Sequence, residues 1–168
     1  MYAIFSLPRK SVDKSEKDHW LPQLFDLLYD NMRSIAPSGL TYEQERKQWL
    51  AAVSPALEKA PRQIILCFVG KELAGYVQYY IRERMLMVEE IQLKREFHRT
   101  FLFYQFCKHL LSVMPEELQT VEAYADKRNL NSIRLMEKLG MQHCETEVDS
   151  SFVHMQVPAE KVYQLFKQ

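Results

Sequence analysis

Neither sign of charge dominates this chain: 22 lysines and arginines offset 22 aspartates and glutamates. Without a net field, no nucleic-acid partner and no membrane surface is expected. Long apolar runs are missing too, and none reaches the roughly 20 residues of a membrane span. Cysteine is scarce. Cys67, Cys107 and Cys144 lie far apart in apolar contexts with no Cys-x-x-Cys spacing. That pattern speaks against a metal site or a disulfide, and for small buried hydrophobes in a reducing compartment. Residues Met1 to Lys10 lack the basic-then-apolar pattern of an export leader, so a cytoplasmic location is expected. The sequence also has no Walker loop, His-Glu-x-x-His pair, nucleophile elbow, internal repeat or low-complexity tract.

What remains is an ordinary globular composition, 47% hydrophobic over 168 residues. That length suits one domain, 1–168, with a real core. Met1 to Pro8 reads as a first strand. Leu21, Leu24, Leu28, Met32 and Ile35 recur at helical spacing across Asp18 to Ile35, and Pro37-Ser38-Gly39 ends that helix. Thr41 with Gln44 forms a capping box that opens a second helix, which Pro55 should break or kink. Three strands follow in succession: Gln63 to Val69, Leu73 to Arg82 and Met85 to Lys94. A strongly apolar helix covers Thr100 to Met114. Strand Thr120 to Ala125, a helix from Asn129, strands Gln142 to Val148 and Phe152 to Val157, and a short helix after Pro158 complete the chain.

The run Asn129-Leu130-Asn131-Ser132-Ile133-Arg134-Leu135-Met136-Glu137-Lys138-Leu139-Gly140-Met141 is the most specific stretch. It opens on a capping residue after a strand and stops at a glycine before the next strand. It resembles the closing block of the GCN5-related N-acetyltransferases (GNAT), Asn-x-x-Ala-x-x-Leu-Tyr-Glu-Lys-Leu-Gly-Phe. The order of elements resembles that family from end to end. The resemblance implies an α+β fold: a single domain with a mixed, mostly antiparallel twisted sheet of about 6–7 strands flanked by helices. It also implies acetyl-CoA as cosubstrate and transfer of an acetyl group to a primary amine of an unidentified acceptor. A homodimer is compatible with it.

In the family a tyrosine of that block protonates the departing thiolate; Met136 stands there, and a thioether has no proton to give. Ser132, Tyr104 or water could serve instead. The pyrophosphate motif, Arg/Gln-x-x-Gly-x-Gly/Ala, falls on His98-Arg99-Thr100-Phe101-Leu102-Phe103, with phenylalanine at both glycine positions. Main-chain N–H groups at a helix start would still face an anion, while His98 and Arg99 add positive charge. Phe103 shares an apolar face with Phe106, Cys107, Leu110 and Met114. Phe101 projects roughly opposite, over neighbouring surface or into pyrophosphate space. Main-chain groups of Ile91, Gln92 and Leu93 would pair with the pantetheine amides, and Asn129 would help hold that arm while capping its helix.

The base would be a strand glutamate, Glu89 or Glu90. Strict alternation sends Glu89 to the face of Met87, Ile91 and Leu93, and Glu90 to that of Val88 and Gln92. Position in the motif favours Glu89. Tyr42, Trp49, Tyr76, Gln78 and Tyr80 would line the acceptor pocket. The competing expectation is a GNAT-fold binding module that has lost catalysis, because the two glycines and the tyrosine are gone together.

Overall fold

The computed structural model describes residues 3–5, 14–58, 62–144 and 151–166; for 14–18 and 58 it describes the backbone alone. The elements run β1 (Ala3–Phe5), α1 (Lys14–Met32), α2 (Tyr42–Glu58), β2 (Gln63–Val69), β3 (Glu72–Arg82), β4 (Met85–Leu93), α3 (Leu102–Ser112), β5 (Thr120–Asp126), α4 (Leu130–Lys138), β6 (Gln142–His143), β7 (Phe152–Pro158) and α5 (Ala159–Phe166). The seven strands form one sheet in the order β1-β2-β3-β4-β5-β7-β6. Every pairing is antiparallel except β4 with β5. This is the mixed, mostly antiparallel α+β sheet that the sequence implies. Of the first predicted strand only 3–5 lie within the described residues; of the strand predicted over 142–148, residues 145–148 lie outside them.

Two cores lie on the two faces of this sheet. Alternation along β3 divides them: Tyr76 packs with Leu24, Leu57 and Leu66 beneath α1 and α2, while Val77 and Tyr79 pack with Phe106, Leu110 and Val162 of α3 and α5. Where the residue period is two, each strand can feed both layers. Gly75 lets β3 and β4 approach closely, since a Cβ there would lie 2.3 Å from the Gln92 carbonyl oxygen.

Local signals set the helix ends. The capping box closes as read: the Thr41 N–H donates to Gln44 Oε1 at 2.9 Å, and the Gln44 N–H to Thr41 Oγ1 at 3.3 Å. At α4 the Ser132 N–H donates to Asn129 Oδ1. Gly140, at φ 81°, ends that helix with Met141 N–H on the Met136 carbonyl and Gly140 N–H on that of Glu137. This double closure needs the left-handed conformation that glycine adopts freely. Two expectations need correction. Pro55 does not break α2, which continues to Glu58. Its missing N–H frees the carbonyl of Ala51, an exposed residue, so water can replace the lost bond. The first helix also begins about a turn before Asp18.

Candidate active site

The parallel ladder between β4 and β5 is short. It joins Met85 to Thr120 and ends at Val88 with Ala123. Beyond that point, among the described residues, β4 keeps only β3 as a partner, up to Gly75 with Leu93. The two central strands diverge there, and one edge of β4 is left without a strand. Lys94 N–H donates to Ala74 O on β3. By alternation, the main-chain polar groups of Leu93 and Ile91 face the open edge, and those of Gln92 face β3. The Leu93 carbonyl is already engaged by Asn31 Nδ2 at 3.0 Å and by the His98 ring Nε2 at 2.9 Å. The Gln92 side chain accepts from Asn31 Nδ2 at 2.9 Å. Ile91 therefore stands open at both its N–H and its carbonyl, whereas Leu93 has its carbonyl engaged.

A cavity of about 510 Å³ fills the divergence, walled by β4, β5, α3, α4 and α5, with Met32 and Ser38 also on its lining. Its lining includes Glu89, Glu90, Phe103, Cys107, Ser132 and Met136. The Cys107 thiol is pushed up to about 12 by burial, so it is an inert wall group.

The two glutamates are brought together by an irregularity that alternation did not foresee. Gln78 pairs with Glu90, yet the next residue, Tyr79, pairs with Val88. Glu89 is thus the extra residue of a β-bulge. Glu89 accepts from the Gln78 side chain at 3.1 Å, and Glu90 from the Tyr76 hydroxyl, although Tyr76 and Gln78 lie on one face of β3. Both carboxylates therefore face the α1 and α2 side, which corrects the expectation of opposite faces.

Their surroundings differ. Arg62 meets Glu89 with a two-pronged contact through Nε and Nη2. Among the described residues Glu90 makes no ion pair; Trp49 Nε1 donates to it at 3.4 Å beside the Tyr76 hydroxyl. Burial raises the Glu90 carboxyl above the usual range, against the pull of those two donors. An arginine-clamped carboxylate is a poor proton acceptor, and a desolvated one with a raised pKa is a better one.

The loop before α3 holds the remaining predicted residues. After a 3-10 turn at Arg95–Phe97, Arg99 takes φ 61°, the left-handed region where glycine is usual. Arg99 is exposed and has no carboxylate partner among the described residues. The Thr100 hydroxyl donates to Phe97 O and accepts the Leu102 N–H, so it caps α3 itself. The Phe101 N–H has no acceptor among the described residues. The Phe101 ring is 66% exposed and stacks on Tyr104 at 4.8 Å, covering the flank of α3. Tyr104 in turn meets Phe166 at 5.0 Å and is not part of the cavity wall. Leu102 is a core residue, whereas Phe103 is half-buried and lines the cavity. On α4, Asn129 caps the helix and reaches Met32 Sδ at 3.7 Å, while Met136 is buried against the cavity.

Two residues not anticipated from the sequence complete the site. Arg62 carries no local motif, since its partner lies 27 residues away. Tyr124 stands one residue past the last β4–β5 pair and lines the cavity mouth. It stacks on His154 at 4.4 Å, and His154 Nε2 lies 2.9 Å from Glu122 Oε2. Burial and the nearby Glu122 raise its phenol above the ordinary value. Among the described residues, no helix is long and apolar enough to cross a membrane.

No protein-family model matches the chain, and neither does any curated protein sequence. Solved structures do. An acetyltransferase from Thermus thermophilus is 14% identical, with 94% of this chain and 97% of that one covered and a TM-score of 0.69. The PaiA N-acetyltransferase from Thermoplasma acidophilum, in complex with coenzyme A, is 12% identical over 94% and 99% of the two chains, with a TM-score of 0.70. An aminoglycoside acetyltransferase in complex with coenzyme A is 16% identical over 99% and 100%, with a TM-score of 0.66. Each spans nearly the whole chain, so the fold of this protein is the GNAT fold.

Proposed function

We propose that this protein is an N-acyltransferase that moves the acyl group of a coenzyme A thioester to a primary amine. The observation that carries the reading is the divergence of β4 from β5 beside a half-buried carboxylate, Glu90, that makes no ion pair among the described residues. Two proteins of the same fold are in complex with coenzyme A. The residues present fit such a thioester. The open edge at Ile91 offers one N–H and one carbonyl to the pantetheine amides, and the apolar cavity suits the arm. Arg99 and the free Phe101 N–H offer charge and a donor to the pyrophosphate.

Chemically, the amine nitrogen attacks the thioester carbonyl, and the N–C bond forms as the C–S bond breaks. The amine proton goes to Glu90. Arg62 and Gln78 occupy both oxygens of Glu89, which leaves that carboxylate without a free acceptor for the amine. The leaving thiolate takes a proton from Tyr124, the phenol that stands at the cavity mouth where Met136 cannot act. Tyr76 and Trp49 keep the Glu90 carboxyl oriented toward the amine.

The test is release of free coenzyme A thiol from acetyl-CoA in the presence of a panel of primary amines, with the acylated product identified by mass spectrometry. Thiol release that needs an amine supports the reading. A second reading, a coenzyme-binding module without catalysis, rests on Met136 in the donor position; it requires tight binding with no thiol release by any amine.

A further inference from the structure

Of the three carboxylates on the cavity lining, two are already engaged. Glu89 is clamped by Arg62. Asp126 takes a two-pronged contact from Arg128, whose guanidinium holds its carboxyl down to about 2. Among the described residues only Glu90 makes no ion pair, and Glu90 is the group that takes the amine proton. The lining therefore has one seat for an amine and no free carboxylate for a second one.

The rim around that seat is apolar, and alternation settles which side of the sheet it occupies. In β5, Val121 and Ala125 are buried beneath α3 and α5, so Tyr124 and Asp126 project from the other face. In β7, Met155 and Val157 are buried in that same core, so Phe152 and His154 project with them, Phe152 paired with Asp126 and His154 with Tyr124. This is the α1 and α2 side, where Glu90 stands. Leu28 and Met32 of α1 complete the rim. Tyr124 and Phe152 are 49% and 48% exposed, Leu28 and Met32 are half-buried, and none of the four belongs to either core. Scattered singly, such side chains are ordinary surface. Gathered on the rim of one cavity, beside its base, they form a surface suited to an apolar ligand. The coenzyme uses the open edge at Ile91 and the loop before α3, which leaves this rim to the acceptor.

Resting on the acyltransferase reading above, we infer that the preferred acceptor is a monoamine with an aryl group on a short linker, its nitrogen at Glu90 and its ring between Leu28 and Met32 on one side and Phe152 on the other. The bonds made and broken are those given above; only the acceptor is specified. A ring suits this rim because Phe152 offers an aromatic face and Met32 a polarisable sulfur. A polyamine suits it poorly. Its second nitrogen would lie against Phe152 or Leu28, stripped of water with no carboxylate in exchange.

The experiment compares kcat/KM for thiol release from acetyl-CoA with ethylamine, phenethylamine and spermidine, each rate referred to the unprotonated amine. Phenethylamine should exceed ethylamine by roughly tenfold or more, as expected for partly covering an aromatic ring, and should also exceed spermidine. Equal constants for phenethylamine and ethylamine, or spermidine as the best acceptor, overturn this inference alone. Thiol release with none of the amines overturns the acyltransferase reading and the inference with it. Phe152→Ser, a change at an exposed position, should bring the phenethylamine-to-ethylamine ratio below about threefold. Leu28→Ala, from the opposite wall, should lower the ratio as well. A ratio that survives either change contradicts the subsite.

Discussion

Glu89 and Glu90 are neighbours in sequence and yet face the same side of the sheet, because the bulge at Glu89 returns the strand to its former face. One is clamped by Arg62 and the other is held by two neutral donors. The division of labour in the site follows from that difference. Position in the motif favours Glu89 as base, whereas the environment favours Glu90.

Replacing Glu90 by glutamine keeps one acceptor oxygen, for the Trp49 N–H, turns an amide NH2 toward the Tyr76 hydroxyl, which can accept, and removes the base. The acyl-transfer rate should fall by roughly 10²- to 10⁴-fold. Stability should respond to pH in the opposite sense. Burial raises the folded-state pKa of Glu90, so its favourable contribution is complete below the unfolded value and is lost as pH rises through the folded one. Glu90→Gln should therefore gain stability relative to wild type as pH rises to neutrality. Denaturant melts across that range test the sign; a gain that grows on acidification would contradict it.

Arg62→Gln removes a cation that lowers the Glu90 pKa and leaves Glu89, which raises it, without its partner. The acid limb of kcat/KM should move to higher pH than in wild type. Because both side chains of the ion pair are about a fifth to a quarter exposed, the loss of stability should be modest, about 1–3 kcal/mol. A limb that stays in place would show that Glu90 is not the titrating base.

Tyr124→Phe tests the proton donor. The phenol is raised above its ordinary value, chiefly by burial, so it stays protonated through neutral pH. The wild-type rate should decline at alkaline pH as this group ionises, and the phenylalanine variant should be slower with that decline gone. Retention of the alkaline limb in the variant would move the role to another group, with Ser38 and Ser132 the other hydroxyls on the cavity wall.

At the helix start, Arg99→Gly should relieve the left-handed strain while removing the exposed charge. Coenzyme affinity should fall and lose part of its salt dependence, with thermal stability maintained. Phe101→Ala, by contrast, should change affinity less than about threefold, since that ring lies stacked on Tyr104.

Much of the fold was legible because its signals are local. The Thr41–Gln44 box, the Asn129 cap and the Gly140 stop are decided within a few residues, and each closes in the structure as its side chains allow. Element order then leads to the sheet. What escaped is what depends on distant partners. A bulge adds one residue to a strand without any compositional mark, so Glu89 and Glu90 could not be assigned a common face from alternation. Arg62 sits in a plain polar stretch, and Tyr124 reads as one more strand aromatic. Phe101 was open to two placements until its neighbour Tyr104 gave its ring a surface to cover. Pro55 does not end its helix, and the carbonyl it frees, that of the exposed Ala51, can turn to water.

Central to this account is the claim that the divergence of β4 and β5 is a coenzyme A thioester site. Thermal or chemical melting with increasing acetyl-CoA tests it most directly, since binding must appear as stability. At one hundred times its dissociation constant the ligand should add about 2.7 kcal/mol. Stability that does not move with millimolar acetyl-CoA would contradict the claim.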